Sequence, residues 1–444
     1  MEKNIFKHKS YMHIDKPFDV NLIGNKIKDK KYVISHGFYP FISYTIVTKK
    51  YCDEIDEETM HHWKYKNRPI KYASHVDRYI YQWYSYILNN VYNMYCVEEN
   101  INNSAIAYRT NLGGQTNIEF SKQVFDFIKK CGECYILVSD FSSFFDNIDH
   151  NLLKINLCKV LKKEKLDEDW YKVYKSMTNY SFIEKDEIIN YLLKNKIETK
   201  YSIKSNNSLF ENKPWKEAKK DLKEKIIKNK ENYGIPQGSP LSGIFANVYM
   251  IDFDKRINDY VKGKNGIYKR YSDDLIIIIP KNNILSITEI WNYLKKVKLN
   301  YPTLIMNESK TSIYLYENKK IISLHKCIDG VKNGGSFVSF LGFSFDGMYV
   351  RFRDKTLTKF YYKLYRKIDN MMERENNRIN VGKKRKSKID KHRILKILNR
   401  NNKTRKFIDY VLRAKKVYSN EKYIINFEKN VKNKIFIRFN KKIK

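Results

Sequence analysis

The hydrophobic positions of the chain mark one strand more clearly than any other element. Residues 275–279 are an unbroken, largely β-branched apolar run that ends at Pro280, a pattern typical of a buried strand. Ile267 and Tyr268 offer a second strand just upstream. Together they predict a hairpin with Asp273 and Asp274 at the turn between its strands.

Two further stretches have strand character. Residues 135–138 form a short apolar run, and Asp140 lies where this run ends. Residues 41–47 are β-like and belong to a mixed, aromatic N-terminal region. The first of these predicts a strand that delivers a carboxylate at its end, as the hairpin does.

Helical periodicity dominates elsewhere. From residue 73 to about 95, apolar side chains recur at spacings of three and four, namely Ile80, Trp83, Ile87, Val91 and Met94. We expect the aromatic side chains of this helix to belong to the core rather than to a base-stacking platform. The same reasoning predicts helices at 120–128, 170–177, 186–193, 358–372, 389–399 and 406–417, with a surface turn at 206–208 and a polar breaker at 376–387.

The acidic residues at the strand ends carry the candidate chemistry. Adjacent carboxylates repel each other and resist desolvation, so a buried pair needs a cation. Taken alone, Asp273 and Asp274 favour an ordinary solvated turn. If both strands deliver their carboxylates to one sheet edge, Asp140, Asp273 and Asp274 would hold two Mg²⁺ ions about 3.5–4 Å apart, the arrangement used for in-line phosphoryl transfer.

A loop rich in glycine and proline lies between these strands. Residues 233–241 predict irregular backbone, followed by a helix with Ser239 or Ser242 as its N-cap. Small residues there would let a base pair or a backbone approach closely. The alternative is an ordinary junction between a loop and a helix.

Charge indicates the kind of partner. The 444 residues carry a formal charge of +37, which favours a polyanionic partner. Residues 351–444 contain 32 Lys and Arg against 8 Asp and Glu, a net charge of +24. A solvated basic surface in a lysine-rich chain would not explain this clustering.

Lys383 to Lys386 could insert into RNA or form a solvated linker. Residues 68–71 are a second basic stretch, which could touch a template backbone or be an ordinary loop.

Other classes of protein are disfavoured. The six cysteines are irregularly spaced and predict no disulfide framework, and Cys131 and Cys134 have no second pair that would complete a zinc site. No apolar run approaches the roughly 20 residues that span a bilayer. We therefore expect a cytoplasmic location and no membrane partner.

Three stretches in order resemble the palm motifs of reverse transcriptases. They are Asp140 with the following Phe144-Phe145-Asp146-Asn147-Ile148-Asp149-His150, then Pro236-Gln237-Gly238-Ser239-Pro240-Leu241-Ser242, then Tyr271-Ser272-Asp273-Asp274. The joint pattern is far more specific than any one short motif. Residues 306–311 and the Phe340-Leu341-Gly342-Phe343 sequence resemble two further family segments, the second being the primer-grip hairpin. The resemblance covers about 107–345.

This resemblance implies an α+β fold, a right-hand polymerase with fingers, an antiparallel-sheet palm and a helical thumb. The corresponding domains are an N-terminal region with fingers at 1–130, a palm at 131–350 that includes a helical fingers and palm segment at 152–232, and a basic helical thumb or RNA-binding region at 351–444.

The resemblance also implies an activity and its residues. The chain would be an RNA-directed DNA polymerase with an RNA template, deoxynucleotide substrates and a DNA product, using two Mg²⁺ ions, with Mn²⁺ as an alternative. The implied metal ligands are Asp140, Asp273, Asp274 and the carbonyl of Phe141. The other implied roles are a proton donor to pyrophosphate at Lys310, with a surface lysine as the alternative, a triphosphate contact at Arg109, a nucleotide-pocket residue at Gln237, and an aromatic barrier to the ribose 2′-hydroxyl at Phe145.

The subgroup is a narrower expectation. No RNase H, integrase, protease or endonuclease segment is recognisable, and neither the retron signatures nor a maturase region is found. The chain therefore looks most like the prokaryotic defence-associated, abortive-infection-type enzymes, which suggests a dedicated non-coding RNA. The alternatives are a retron or group II intron-like enzyme and a non-catalytic RNA-binding protein on a polymerase palm. The three intact aspartates argue against the last. Oligomeric state, primer and partner proteins stay open.

Overall fold

The computed structural model describes residues 5–6, 11–16, 18–56, 61–197, 208–210, 214–380 and 402–443. The helix predicted at 389–399, the basic run at Lys383 to Lys386, and Asn206 and Asn207 lie outside these ranges. Ser208 is buried and its hydroxyl donates to the carbonyls of His13 and Ile14, so it does not belong to the surface turn that the sequence suggests.

Fifteen helices are present in the described ranges. They are α1 (Val20–Lys28), α2 (Lys30–Ser35), α3 (His75–Glu98), α4 (Asn117–Cys131), α5 (His150–Leu161), α6 (Glu168–Thr178), α7 (Lys185–Lys194), α8 (Trp215–Asp221), α9 (Ser242–Tyr249), α10 (Ile251–Lys262), α11 (Ile287–Lys298), α12 (Asp354–Asn380), α13 (Asn402–Val417), α14 (Lys422–Ile425) and α15 (Phe427–Ile443). None of these is long and apolar enough to cross a membrane.

Thirteen strands form three sheets in the same ranges. They are β1 (Phe41–Asp56), β2 (His61–Tyr72), β3 (Cys134–Ser142), β4 (Ser181–Glu184), β5 (Ile227–Lys228), β6 (Ile267–Tyr271), β7 (Asp274–Pro280), β8 (Ile305–Met306), β9 (Ser312–Glu317), β10 (Lys320–Ser323), β11 (Val338–Phe340), β12 (Phe343–Phe345) and β13 (Val350–Phe352).

The central sheet has the order β10-β9-β3-β7-β6, with β8 paired to the end of β3. Every pairing in it is antiparallel, as expected for a palm sheet in an α+β fold. The predicted hairpin is β6 and β7, in which Tyr271 lies opposite Asp274. Ser272 and Asp273 form the turn, and Ser272 has a left-handed backbone with φ 60°.

Alternating side chains of β7 enter two different cores. Leu275, Ile277 and Ile279 pack in one hydrophobic cluster with α3, α5, α9, α10 and α11. Ile276 and Ile278 pack in a second cluster with α4, β11 to β13 and the C-terminal helices. Because both faces of the strand are covered, its apolar run is unbroken instead of alternating with polar residues.

The N-terminal sheet has the order β2-β1-β4-β5 and is dominated by the long β1–β2 hairpin. Residues 68–71, a loop in the sequence reading, lie instead on β2, with Pro69 opposite Thr45. Proline cannot donate to a ladder but is tolerated on an edge strand, and β2 is at the edge.

Helix α3 confirms the predicted helix. Besides Ile80, many of its buried side chains are next to the predicted apolar positions and not at them. Its buried residues include Tyr81, Tyr84, Leu88 and Tyr92, whereas Met94 is exposed. Tyrosine can occupy such positions when its hydroxyl finds a partner, and the hydroxyls of Tyr81 and Tyr84 donate to Ser176 and Asp169 respectively. The aromatic excess of α3 therefore belongs to the core.

The C-terminal helices share a core with the palm sheet. Helix α12 continues to Asn380, so residues 376–380 are helical and do not break it. Phe343 of β12, Phe352 of β13 and Tyr418 pack together in the second cluster. Helix α4 lies in the same cluster, although the expected fingers region ends at residue 130. The domain limits stay a prediction.

Candidate active site

The sheet register brings the three candidate carboxylates to one place. Asp140 on β3 lies directly opposite Asp274 on β7, and directly opposed residues of antiparallel strands have Cβ atoms about 4.5–5.5 Å apart. The backbone N–H of Phe141 donates to the carbonyl of Asp273 at 3.2 Å. Asp140 is not the last residue of its strand, because β3 continues to Ser142 and pairs there with β8.

The surroundings of Asp274 oppose its ionisation. Loss of water around the carboxyl, followed by the charges of Asp273 and Asp140, raises the pKa of Asp274 to about 6, although Arg353 and Lys310 act in the opposite direction. Part of Asp274 nevertheless reaches solvent. A carboxyl whose pKa is raised by burial and by neighbouring carboxylates is typical of a site that binds a cation.

Asp140 has one oxygen with a partner and one without. Its Oδ2 accepts a hydrogen bond from Nζ of Lys310 at 2.8 Å, whereas its Oδ1 is buried and has no hydrogen-bond partner. A buried anionic oxygen without a donor fits a divalent cation. In the described ranges, no group of three or more His, Cys, Asp or Glu side chains is already close enough to be a ready metal site.

A buried ion pair supports the turn from below. Arg270 and Asp254 are both fully buried. The guanidinium donates from Nε to Oδ1 at 2.8 Å and from Nη2 to Oδ2 at 2.6 Å, the bidentate geometry that favours Arg. Its Nη1 also donates to the carbonyl of Ser272 at 2.9 Å, which fixes the residue immediately before Asp273.

More contacts surround this pair. The hydroxyl of Tyr268 donates to Oδ1 of Asp254 at 2.7 Å, and the hydroxyl of Tyr108 donates to Oγ of Ser272 at 3.2 Å. A side chain at Gly243 would place its Cβ 2.8 Å from the ring of Tyr108. The glycine therefore makes room for the ring that reaches the turn.

Two loops that carry predicted nucleotide-binding residues are joined by backbone hydrogen bonds. The N–H of Ile235 donates to the carbonyl of Phe145 at 2.9 Å, and the carbonyl of Gln237 accepts from the N–H of Lys71 at 2.9 Å. The ring of Phe145 is half-buried and edge-on to Phe144, with centroids 5.7 Å apart. Phe145 and Gln237 thus lie on adjoining segments.

Helix α9 begins without the predicted cap. Ser242 is its first residue, and neither Ser239 nor Ser242 occupies the N-cap position, which belongs to Leu241. The two hydroxyls instead stabilise the preceding loop, since Oγ of Ser242 donates to the carbonyl of Pro236 at 2.6 Å and Oγ of Ser239 accepts from the N–H of Leu241.

Arg109 makes several hydrogen bonds within the protein. Its guanidinium donates to Oδ1 of Asn93, to the carbonyl and Oδ1 of Asn102, and to the carbonyl of Ala105. Arginine has five N–H donors, so four hydrogen bonds leave one for a ligand. The side chain stabilises its own loop, and the triphosphate contact implied for Arg109 stays a prediction.

Sequence reasoning missed the pair of Arg270 and Asp254. The available signal was an arginine close to two predicted strands, since Arg is almost never fully buried unless it is paired. That signal predicts a partner for Arg270 without saying which of 49 acidic residues it is.

An antiparallel sheet that presents carboxylates from two adjacent strands, with a buried ion pair beneath the turn, defines a nucleic-acid polymerase palm. The sequence matches the family described as reverse transcriptase (RNA-dependent DNA polymerase) over residues 64–345. The chain belongs to this family. Enzymes of this family are RNA-directed DNA polymerases, which are nucleotidyltransferases and use divalent metal ions.

Solved structures of telomerases are similar at low identity. Apo telomerase from Candida tropicalis truncated from its C-terminal domain has 11% identity over 70% of this chain and 57% of its own, with a TM-score of 0.41. Telomerase from Candida albicans in complex with the TWJ fragment of telomeric RNA has 12% identity over 75% and 48%, with a TM-score of 0.38.

Apo telomerase from Candida tropicalis has 13% identity over 76% and 53%, with a TM-score of 0.39. The chain thus spans about half the length of these structures. No curated protein matches the sequence.

Proposed function

We propose that the protein extends a DNA strand along an RNA template by adding deoxynucleotides, with Asp140, Asp273 and Asp274 as its catalytic carboxylates. The observation that carries this proposal is the cross-strand pair of Asp140 and Asp274 beside Asp273, with the buried Oδ1 of Asp140 left without a donor. Family membership supports the same activity.

The proposed roles follow from the contacts at this edge of the sheet. Two Mg²⁺ ions, or Mn²⁺, would activate the attacking hydroxyl and stabilise the leaving pyrophosphate. Asp140 and Asp273, with the carbonyl of Phe141, are the more direct ligands, and Asp274 completes the set. Lys310, which contacts Oδ2 of Asp140, would exchange this contact for the pyrophosphate and donate a proton to it.

Selectivity is assigned to the two adjoining loops. Phe145 would block a ribose 2′-hydroxyl, which favours deoxynucleotides, and Gln237 would line the nucleotide pocket. The hydrogen bond from Ile235 to the carbonyl of Phe145 supports a joint pocket, because it ties the loop of Gln237 to the turn of Phe145.

RNA binding is assigned mainly to the C-terminal helices. A cavity of about 770 Å³ lies along α12. The cations that line it recur at helical spacing, namely Lys355, Lys359, Lys363, Arg366 and Lys367. Cations at this spacing on one helix can follow the phosphates of a duplex. This row of cations supports the proposal that residues 351–444 are a thumb. Residues 1–130 and 131–350 are proposed as fingers and palm, except that α4 packs with the palm.

The biological setting is the narrowest part of the proposal. We infer a dedicated non-coding RNA, because the +24 charge of residues 351–444 exceeds what one short duplex requires. We infer a role in phage defence in a prokaryote from the resemblance of the sequence to abortive-infection-type enzymes. Sequencing RNA that copurifies with the protein tests the first inference. If that RNA is random and loss of the gene leaves phage sensitivity unchanged, the setting is wrong while the polymerase proposal stands.

The activity itself is tested by Asp273→Ala. Primer extension on an RNA template with deoxynucleotides should collapse towards background, because a carboxylate of the proposed set is lost. Asp259→Ala, which removes an exposed carboxylate on α10, is the matched control and should extend like the wild type. A folded Asp273→Ala protein with wild-type extension would refute the assignment.

A further inference from the structure

A second pocket lies between the loop that carries Gln237 and the N-terminal sheet. It has a volume of about 480 Å³, which falls in the range of small-molecule sites. Among its lining residues are Tyr11, Tyr44, Tyr72, Arg78 and Lys185, together with Gly238 and Pro240 of the loop. We call it the Arg78 pocket.

Arg78 is the unusual member of this pocket. The residue is only 5% exposed, and among the described residues its guanidinium has no hydrogen-bond or ion-pair partner. The ring of Tyr79, 5.9 Å from the guanidinium carbon, is a cation–π neighbour. The charge of Asp15 acts on the pKa values of Tyr11 and Tyr79, as that of Arg78 does in the opposite direction, but no ion pair joins the two among the described residues. A largely buried guanidinium without a direct ion pair loses hydration that no contact replaces. An anion that enters the pocket would replace that hydration.

The rest of the lining favours a nucleotide over a simple anion. Lys185, the first residue of α7, adds a second cation, and no Asp or Glu is among the described lining residues. Tyr11 and Tyr44 stand edge-on to Tyr72, with centroids 5.3 and 5.7 Å away. Tyr44 is 39% exposed, so part of its ring is available for a base to stack on.

The pocket and the loop of Gln237 share a wall. Gly238 has φ +130°, and a Cβ there would lie 2.6 Å from the carbonyl oxygen of Lys71 on β2. The loop is therefore pressed against the N-terminal sheet. A strand of nucleic acid that reaches the loop from outside would pass the Arg78 pocket.

We propose that the Arg78 pocket binds one nucleotide of the unpaired RNA template, with its phosphate at Arg78 and Lys185 and its base against Tyr44. This inference rests on the proposed polymerase function. Charge-assisted hydrogen bonds from a guanidinium to a phosphate are the strong kind, and the stacking of bases on aromatic rings tolerates any sequence.

The test measures binding without catalysis. Full-length protein is titrated, without deoxynucleotides, against a DNA primer on an RNA template that either ends flush or continues as a short unpaired 5′ overhang. We expect the wild type to bind the overhang substrate more tightly than the flush one. Arg78→Gln should reduce this affinity ratio by roughly tenfold. Lys185→Ala and Tyr44→Ala should lose part of it.

The matched control is Lys194→Ala, which removes an exposed cation from the other end of α7 and should keep the full gain. If Arg78→Gln does not fold, Lys185→Ala and Tyr44→Ala decide the matter. Folded variants that keep the full overhang gain would overturn the proposal. A raised KM for deoxynucleotides with unchanged overhang binding would also overturn it, and would assign the pocket to free nucleotides. Because binding is read without extension, failure of the polymerase proposal remains a separate result.

Discussion

Replacing Arg270 by Met should separate the stability of the palm from the position of its catalytic turn. The guanidinium is fully buried, neutralises Asp254 with two hydrogen bonds, and holds the carbonyl of Ser272. Arg270→Met keeps much of the side-chain volume but leaves a buried carboxylate without its counter-charge. It also releases the residue that precedes Asp273.

The size of the effect follows from this geometry. Breaking a fully buried ion pair by removing one partner costs about 3–5 kcal/mol. Replacing both members by neutral side chains is often close to neutral, so Arg270→Met combined with Asp254→Asn should recover most of the free energy of unfolding. A double-mutant cycle should then give a coupling energy of about 3 kcal/mol or more.

Two measurements are needed on the same four proteins. Urea unfolding reports stability, and primer extension reports the position of the turn. We expect the double variant to be stable but slow, because neither of the two introduced side chains can hold the carbonyl of Ser272 as the guanidinium does. If the free energy of unfolding of Arg270→Met lies within about 1 kcal/mol of the wild-type value, the energetic reasoning is refuted. Full activity in the double variant would refute the positioning role.

Three other predictions concern separate parts of the chain. Burial lowers the pKa of Lys269 to about 8, so the unfolded chain binds more protons between about pH 8 and 10.4, and wild-type stability should rise with pH there. Lys269→Met removes this penalty together with the hydrogen bond from Nζ of Lys269 to the carbonyl of Asn103. It should therefore stabilise by about 2 kcal/mol at pH 7, and the advantage should fade between about pH 8 and 10.4. Phe145→Ala should increase ribonucleotide use relative to deoxynucleotide use in single-nucleotide extension. Exchanging Lys359, Lys363 and Arg366 for Gln should weaken duplex binding and flatten its salt dependence by up to about 0.9 in slope for each lost phosphate contact.

Each of these three predictions has a control variant and a result that would contradict it. Lys262→Met, an exposed lysine that also donates to a backbone carbonyl, should not stabilise at pH 7, and an equal gain there would discount burial of Lys269. An unchanged nucleotide ratio would make Phe145 a core residue. Exchanging Lys219, Lys220 and Lys223, all exposed, removes the same charge elsewhere, and an equal loss of binding would make the effect non-specific. Point substitutions are preferred to truncation after Phe345, because truncation would remove β13 from the second hydrophobic cluster.

The strands were predictable where burial on both faces leaves an unbroken apolar run, as at 275–279. The set of buried side chains on α3 was not predictable, because tyrosine is apolar in its ring and polar at its hydroxyl. Its burial depends on whether a partner such as Asp169 is within reach of the hydroxyl, and that partner lies on another helix.

The same limit applies to the site. Asp140, Asp273 and Asp274 could be predicted together because each carboxylate follows or precedes an apolar strand, and adjacent strands share an edge. Asp254 could not be predicted with them, since α10 approaches the hairpin only through tertiary packing. Arg109 was assigned from its neighbours in sequence, whereas its side chain is directed by Asn93 and Asn102.

The position of β3 has a consequence for synthesis on the ribosome. This strand is central in its sheet, yet both of its long partners, β7 and β9, follow far later in the chain. Until they emerge, both edges of an apolar strand are unpaired, which is the condition under which nascent chains associate wrongly. The edge that carries the proposed catalytic carboxylates is therefore among the last parts of the palm to form, and a truncated nascent chain carries Asp140 without the strand that brings Asp274 beside it.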